Sequence, residues 1–209
     1  MAMASVVHPH VEPWEFDALQ FNAGWSMDVE LIAGEAVLVL PLGPPASSAA
    51  GELHAALHRW QEKAGDRGLL MIEVFVAFPD GSRLGPDIAW WRAERPPMSR
   101  GAMQTVPDLV VEVFSPSTRA NDEGVKRDLY MRSGVRELWL VDPDGRTVTR
   151  VRPDGSPDEV LDDRSILTSD LLEGFAMEVA DIFTLPTPAD EDSQQRGQSP
   201  VGQSPVRFG

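Results

Sequence analysis

From Pro13 to about Leu185, apolar and polar positions switch repeatedly between strand-like and helix-like spacing. VELIAGEAVLVLP (29–41) holds two short apolar runs split by Gly34, which predicts a β-hairpin. Leu53, Leu57 and Trp60 recur at helical spacing. They predict a helix that follows Pro44 and Pro45, is capped by Ser47 or Ser48, and runs to about Ala64 before Gly65 and Gly68. MIEVFVAF (71–78) reads as one strand, PDGS (79–82) as a turn and GPDIAWW (85–91) as a second strand. RAERPPMSRGAMQTV then forms a Pro/Gly-rich loop.

PDLVVEVFSP (107–116) is a near-continuous apolar run broken by one glutamate, the composition of a strand covered on both faces. A helix is predicted from about Arg119 to Ser133, with Gly134 as its left-handed terminal residue. ELWLVDP and RTVTRVRP read as strands around Asp144-Gly145. A short strand near Phe175–Val179 and a turn close the region, and Pro13–Leu19 opens it as a short helix. Strands alternating with helices predict an α/β domain over 13–185. Residues 1–12 and 186–209 are expected to be disordered; the latter is rich in Pro, Gln, Ser and Asp and repeats GQSPV in tandem.

Composition narrows the chemistry. There are no cysteines, which excludes a disulfide scaffold, a Cys-based zinc site and a thiol nucleophile. No apolar run is long enough to cross a bilayer, and MAMASVVHPH lacks the basic and apolar regions of a secretory signal, so a cytoplasmic protein is expected. Thirty-three acidic residues against eighteen basic give a net charge of −15, which repels a polyanion at long range. A nucleic-acid function would therefore need a local site, a bound cation or a partner.

Two acids and a lysine stand out. Glu112 lies inside the buried run LVVEVF, where a carboxylate must be paired or metal-bound. Asp87 opens the strand IAWW after a proline. Lys126 lies on the following helix, sharing a face with Glu123, Leu129 and Tyr130. Carboxylates of this kind hold Mg²⁺ or Mn²⁺, which polarises a phosphoryl oxygen while an ammonium steadies developing charge.

The bland alternatives differ by residue. Glu112 could pair with an arginine for purely structural reasons. Asp108 sits too near Glu112 on one strand to form a two-strand pair. Glu30 reads as a solvated strand end with a possible place in the cleft, and Glu73 as a wet-face acid. His54 and His58 have ligand-like spacing but no glutamate between them of the kind zinc proteases carry, so they read as a polar helix face. Ser115 and Ser117 read as caps of the next helix rather than nucleophiles. No Walker-type phosphate loop is present.

The stretch from PDLVVEVFSPST through VDPDGRTVTRVRPDG, with VELIAGEAVLV and GPDIAW before it, resembles the Uma-two family. That family is a bacterial group of restriction-endonuclease type within the PD-(D/E)XK superfamily. The resemblance spans most of 13–185 in the right order. It implies a restriction-endonuclease-like mixed β-sheet flanked by helices, with an N-terminal β-hairpin. It also implies Asp87 and Glu112 as metal ligands, helped by the backbone carbonyl of Val113. Lys126 would be the catalytic lysine, displaced onto the helix, because Phe114 stands two residues after Glu112 where the superfamily carries lysine. The implied activity is Mg²⁺- or Mn²⁺-dependent hydrolysis of DNA, with a homodimer suited to engaging both strands. The competing reading is a catalytically silent interaction or dimerisation module, suggested by the negative charge and by Trp90 and Trp91 as exposed aromatics. A glycoside hydrolase using an acid pair is a distant third.

Overall fold

The structure, a computed structural model, describes residues 10–22, 29–63, 68–92, 101–115 and 118–185. The expected disordered segments (apart from residues 10–12), Ala64 and Gly65, the middle of the 92–106 loop and Ser117 lie outside the described residues.

The hairpin forms as expected from β1 (Val29–Ile32) and β2 (Glu35–Leu38). Its two turn residues, Ala33 and Gly34, have φ of +52° and +86°, the left-handed pair that a tight hairpin with native twist needs. Val11 N–H donates to the Gly34 carbonyl at 2.8 Å, which ties the chain before Pro13 to the hairpin turn. The opening helix α1 (Pro13–Asp17) continues as a wide π turn over Ala18–Asn22.

The predicted strand 71–78 is two strands. β3 (Leu69–Ile72) and β4 (Val76–Ala77) join different sheets, because Glu73 takes φ of +49° and turns the chain between them. β5 (Arg83–Leu84) completes a four-stranded sheet in the order β2-β1-β5-β4. The main sheet has six strands. Alongside β3 it contains β6 (Ile88–Trp91), β7 (Leu109–Val113), β8 (Glu137–Asp142), β9 (Thr147–Val151) and β10 (Glu159–Leu161), in the order β10-β9-β8-β7-β6-β3. β11 (Ile166–Thr168) and β12 (Ala176–Glu178) form a separate antiparallel pair. β10 and β11 have no sequence signature, since three residues hold too few positions to show a period.

Helix α2 (Pro44–Lys63) begins at the prolines rather than after them. Proline is tolerated in a first turn, and Ser47 N–H already bonds to Gly43 O at 2.9 Å, so neither Ser47 nor Ser48 is the predicted cap. β7 and β8 run parallel, which requires a crossover. The crossover is the segment predicted as one helix, and it is broken: α3 (Arg119–Asn121), a wide π turn (Asp122–Lys126) kinked at Gly124, and α4 (Arg127–Ser133). Gly134 ends it with φ of +98°, as expected.

β7 is buried along its whole length because both faces are covered. Leu109, Val111 and Val113 pack toward Leu53, Leu57 and Trp60 of α2. Val110 and Phe114 pack on the other face with Leu129, Tyr130 and the small sheet's Ile32, Val37 and Leu84. Trp90 and Trp91 are 2% and 3% exposed, one in each core, so they offer no aromatic surface for a partner. No helix among the described residues is long and apolar enough to cross a membrane.

Candidate active site

Strand alternation decides where the acids point. Glu112 shares the face of Val110 and Phe114, which is the face α4 covers. Asp87, just before β6, has the parity of Ala89 and Trp91, which lie in that same core. The two predicted acids therefore share one side of the sheet. Val113 N–H donates to Asp87 Oδ2 at 2.6 Å, beyond the last registered pair between β6 and β7. In an extended strand a residue's N–H and C=O leave by the same edge, so the Val113 carbonyl also faces the Asp87 side.

Lys126 arrives from above. Its Nζ lies 2.8 Å from Glu112 Oε1 and 3.2 Å from Asp122 Oδ1, and donates to Glu30 Oε1 at 3.3 Å. The Tyr130 hydroxyl donates a short hydrogen bond to the same Glu112 Oε1. Glu112 is thus paired with a lysine and a tyrosine, not with the arginine of the purely structural reading. Glu30, Glu112, Asp122 and Lys126 are all under 5% exposed, while Asp87 is only partly covered. These residues line a cavity of about 250 Å³, walled by Val39, Leu40, Pro41 and Leu42 after the hairpin and bordered by exposed Glu73.

Electrostatics follow from crowding. Burial pushes Asp87 up to about 7, against the lowering effects of the Val113 N–H and Lys126. Burial raises Glu112 well above the ordinary carboxylate range, with Asp122, Asp87 and Glu30 adding to it and Lys126 opposing. For Lys126, burial alone would favour the neutral amine, but Glu112 and Glu30 outweigh it and hold the ammonium well above its usual range. Tyr130 is raised by burial and by Glu112. Asp122 Oδ1 is buried and accepts no hydrogen bond, although it lies at ion-pair distance from Lys126.

Glu30 is corrected most sharply: it is not a solvated strand end but a buried acid that also accepts Gly85 N–H at 2.8 Å. Glu123, placed with Lys126 by simple helical spacing, is exposed and pairs with Arg119; the π turn puts Asp122 inside instead. Helical periodicity gives no sign of Asp122, because it does not show the break at Gly124. Asp108 stays apart, accepting Arg92 N–H at 2.8 Å at the start of β7. His54 and His58 stack on α2 with ring centroids 6.1 Å apart. Ser115 pairs its hydroxyl with that of Thr118, the N-cap residue of α3. A larger groove of about 720 Å³ runs between α2 and β12, but none of the predicted site residues lines it.

Metal fit rests on donor chemistry. Among the described residues no three His, Asp or Glu side chains form a ready-made ligand cluster. Mg²⁺ is commonly held by one or two carboxylates, with waters and substrate phosphate completing its shell. Asp87, Glu112 and the Val113 carbonyl are oxygen donors of that type around one cavity.

A family model described as "Putative restriction endonuclease", that of the Uma-two family, matches residues 13–180. No curated protein matches the chain. A 1.96 Å crystal structure of "a putative nuclease belonging to DUF820" from Anabaena variabilis ATCC 29413 superposes with a TM-score of 0.67 at 21% identity, over 83% of this chain and 98% of that one. At that identity the likeness establishes a shared fold.

Proposed function

The chain belongs to the Uma-two family, and from that premise we propose that it is a metal-dependent endonuclease that hydrolyses DNA phosphodiester bonds. The observation that carries the reading is the gathering of four carboxylates, Glu30, Asp87, Glu112 and Asp122, around one ammonium. One lysine cannot neutralise four crowded acids, so either protons or a cation must make up the difference. Hard oxygen donors with that deficit suit Mg²⁺ or Mn²⁺, held by Asp87, Glu112 and the Val113 carbonyl. When bound, the ion polarises a phosphoryl oxygen and acidifies a bound water.

The chain's own groups do the rest. Val113 N–H fixes Asp87 by one oxygen, and Tyr130 fixes Glu112 by Oε1. Lys126 presents a desolvated positive charge to the developing phosphorane, where low dielectric strengthens it. The apolar segment Val39–Leu42 forms one wall of the site. A local site of this kind also reconciles DNA cleavage with a net charge of −15, because the ion and Lys126 act at contact range while the distant field is screened by salt.

The competing interaction-module reading loses its aromatic surface, since Trp90 and Trp91 are core residues. Plasmid cleavage with Mg²⁺, Mn²⁺ or a chelator, for wild type beside Asp87→Ala and Glu112→Ala, tests the proposal. Metal-dependent nicking lost in both variants is expected. Absence of divalent-ion binding by calorimetry, or cleavage indifferent to both substitutions, would overturn it.

A further inference from the structure

We propose that Glu30, from the N-terminal hairpin, is a positioning residue that holds Lys126 in register with the strand loop bearing Asp87; the inference rests on the phosphodiesterase reading above. The need for such a residue follows from the sequence. The position two after Glu112 is Phe114, whose ring is buried and lies under the Arg119 guanidinium at 4.5 Å. The ammonium comes instead from a kinked turn on the crossover, at the end of a flexible stem. Immobilising such a side chain costs rotamer entropy, and the backbone beneath it is itself interrupted, so outside contacts must set its place.

The three acids around Nζ do different work. Asp122 lies on the same turn, so it moves with Lys126 and cannot register it against the sheet. Glu112 is the group whose distance from the lysine has to be controlled. Glu30 alone of the three comes from the small sheet, and its Oε1 takes two donors at once: Lys126 Nζ at 3.3 Å and Gly85 N–H at 2.8 Å. Gly85 stands two residues before Asp87. One carboxylate oxygen therefore joins the lysine to the loop that delivers the first acid, and the hairpin becomes part of the catalytic machinery. An apolar residue would serve strand β1 better at a position only 3% exposed, if packing were all that mattered.

Lysine is scarce enough to make the test clean. Only Lys63 and Lys126 occur in the chain, the other basic residues being arginine. Glu30→Gln keeps the size and leaves an amide oxygen for Gly85 N–H, but removes the charge facing Lys126. A misplacement of this kind is expected to lower kcat by about 100-fold, with KM nearly unchanged. Because Glu30 acts through the lysine, Glu30→Gln combined with Lys126→Met is expected to be no slower than Lys126→Met alone. Independently of activity, the buried ammonium should give a ¹⁵N signal protected from solvent exchange in the wild type and exposed in Glu30→Gln. If Glu30→Gln does not fold, Glu30→Asp, which keeps the charge but retracts it, is expected to show the same loss of protection. A wild-type kcat with a protected ammonium in the variant, or a double variant slower than Lys126→Met, overturns the proposal. If the wild type cleaves nothing, the ammonium signal still decides the role of Glu30, and only the phosphodiesterase reading falls.

Discussion

Lys126 Nζ stands 2.8 Å from Glu112 Oε1, joining a turn of the crossover to the central strand it crosses over. Neither group is tolerable there without the other: each is about 4% exposed, and a lone charge at such a position carries a desolvation cost of several kcal/mol. Lys126→Met is therefore expected to destabilise the protein by about 3–5 kcal/mol at pH 8. The cost should shrink near pH 5, where the abandoned acids can take up protons. Urea denaturation at the two pH values measures both. A variant as stable as wild type at pH 8 would show that the acids do not depend on the ammonium.

Asp87 gives the metal-free protein a pH dependence of definite sign. Its carboxyl, ordinarily near 3.8, is raised to about 7 chiefly by burial. Between those values the folded state holds a proton that the unfolded chain has released, so stability falls as pH rises through that window. Burial raises Glu112 in the same direction. Thermal melting in chelator should accordingly decline from about pH 4 toward pH 7, and Asp87→Asn should flatten the decline. Because a divalent ion competes with protons for these oxygens, Mg²⁺ should raise the melting temperature more at pH 8 than at pH 5. Equal stabilisation at both would argue against carboxylate ligation.

Tyr130 is the only tyrosine in the chain, so tyrosinate absorbance reports this site alone. Its hydroxyl is bonded to Glu112, and burial with that neighbouring acid drives its ionisation well above the usual phenol range. Alkaline titration of the native protein is expected to show no tyrosinate until the fold opens. Tyr130→Phe removes a buried hydrogen bond to Glu112 and should cost about 1–3 kcal/mol, while freeing Glu112 to rotate and slowing cleavage. A phenol that titrates normally in the folded protein would contradict the contact.

Much of this site is legible in the sequence, for a physical reason. A glutamate inside LVVEVF is an expense that a strand covered on both faces accepts only for a partner, and Asp87 before IAWW has its face set by strand alternation. What stayed hidden depends on backbone events that side-chain periodicity does not record. Glu30 sits at one end of a hairpin whose burial comes from elements distant in sequence. Asp122 faces inward because the turn widens at Gly124, and Glu73 splits a strand by taking a left-handed conformation. The rarity of lysine and tyrosine was an available signal for Lys126 and Tyr130, because a chain that otherwise uses arginine places a lysine among buried acids.

Glu137 shows that a buried strand acid need not belong to the site. It opens β8, beside β7, yet points to the opposite face of the sheet, where its two oxygens accept the Trp139 indole N–H at 2.6 Å and the Ser169 hydroxyl at 3.0 Å. Both partners are buried with it, so Glu137→Ala strands two donors and opens a gap, an expected loss of about 2–4 kcal/mol by denaturation. Glu137→Gln, which can still accept at one oxygen, should lose less. Neither change touches the carboxylates on the α4 face, so kcat and Mg²⁺ affinity should stay at wild-type values in any variant that folds. A fall in metal affinity in Glu137→Gln would mean that the two faces of the sheet are coupled through β7 and β8.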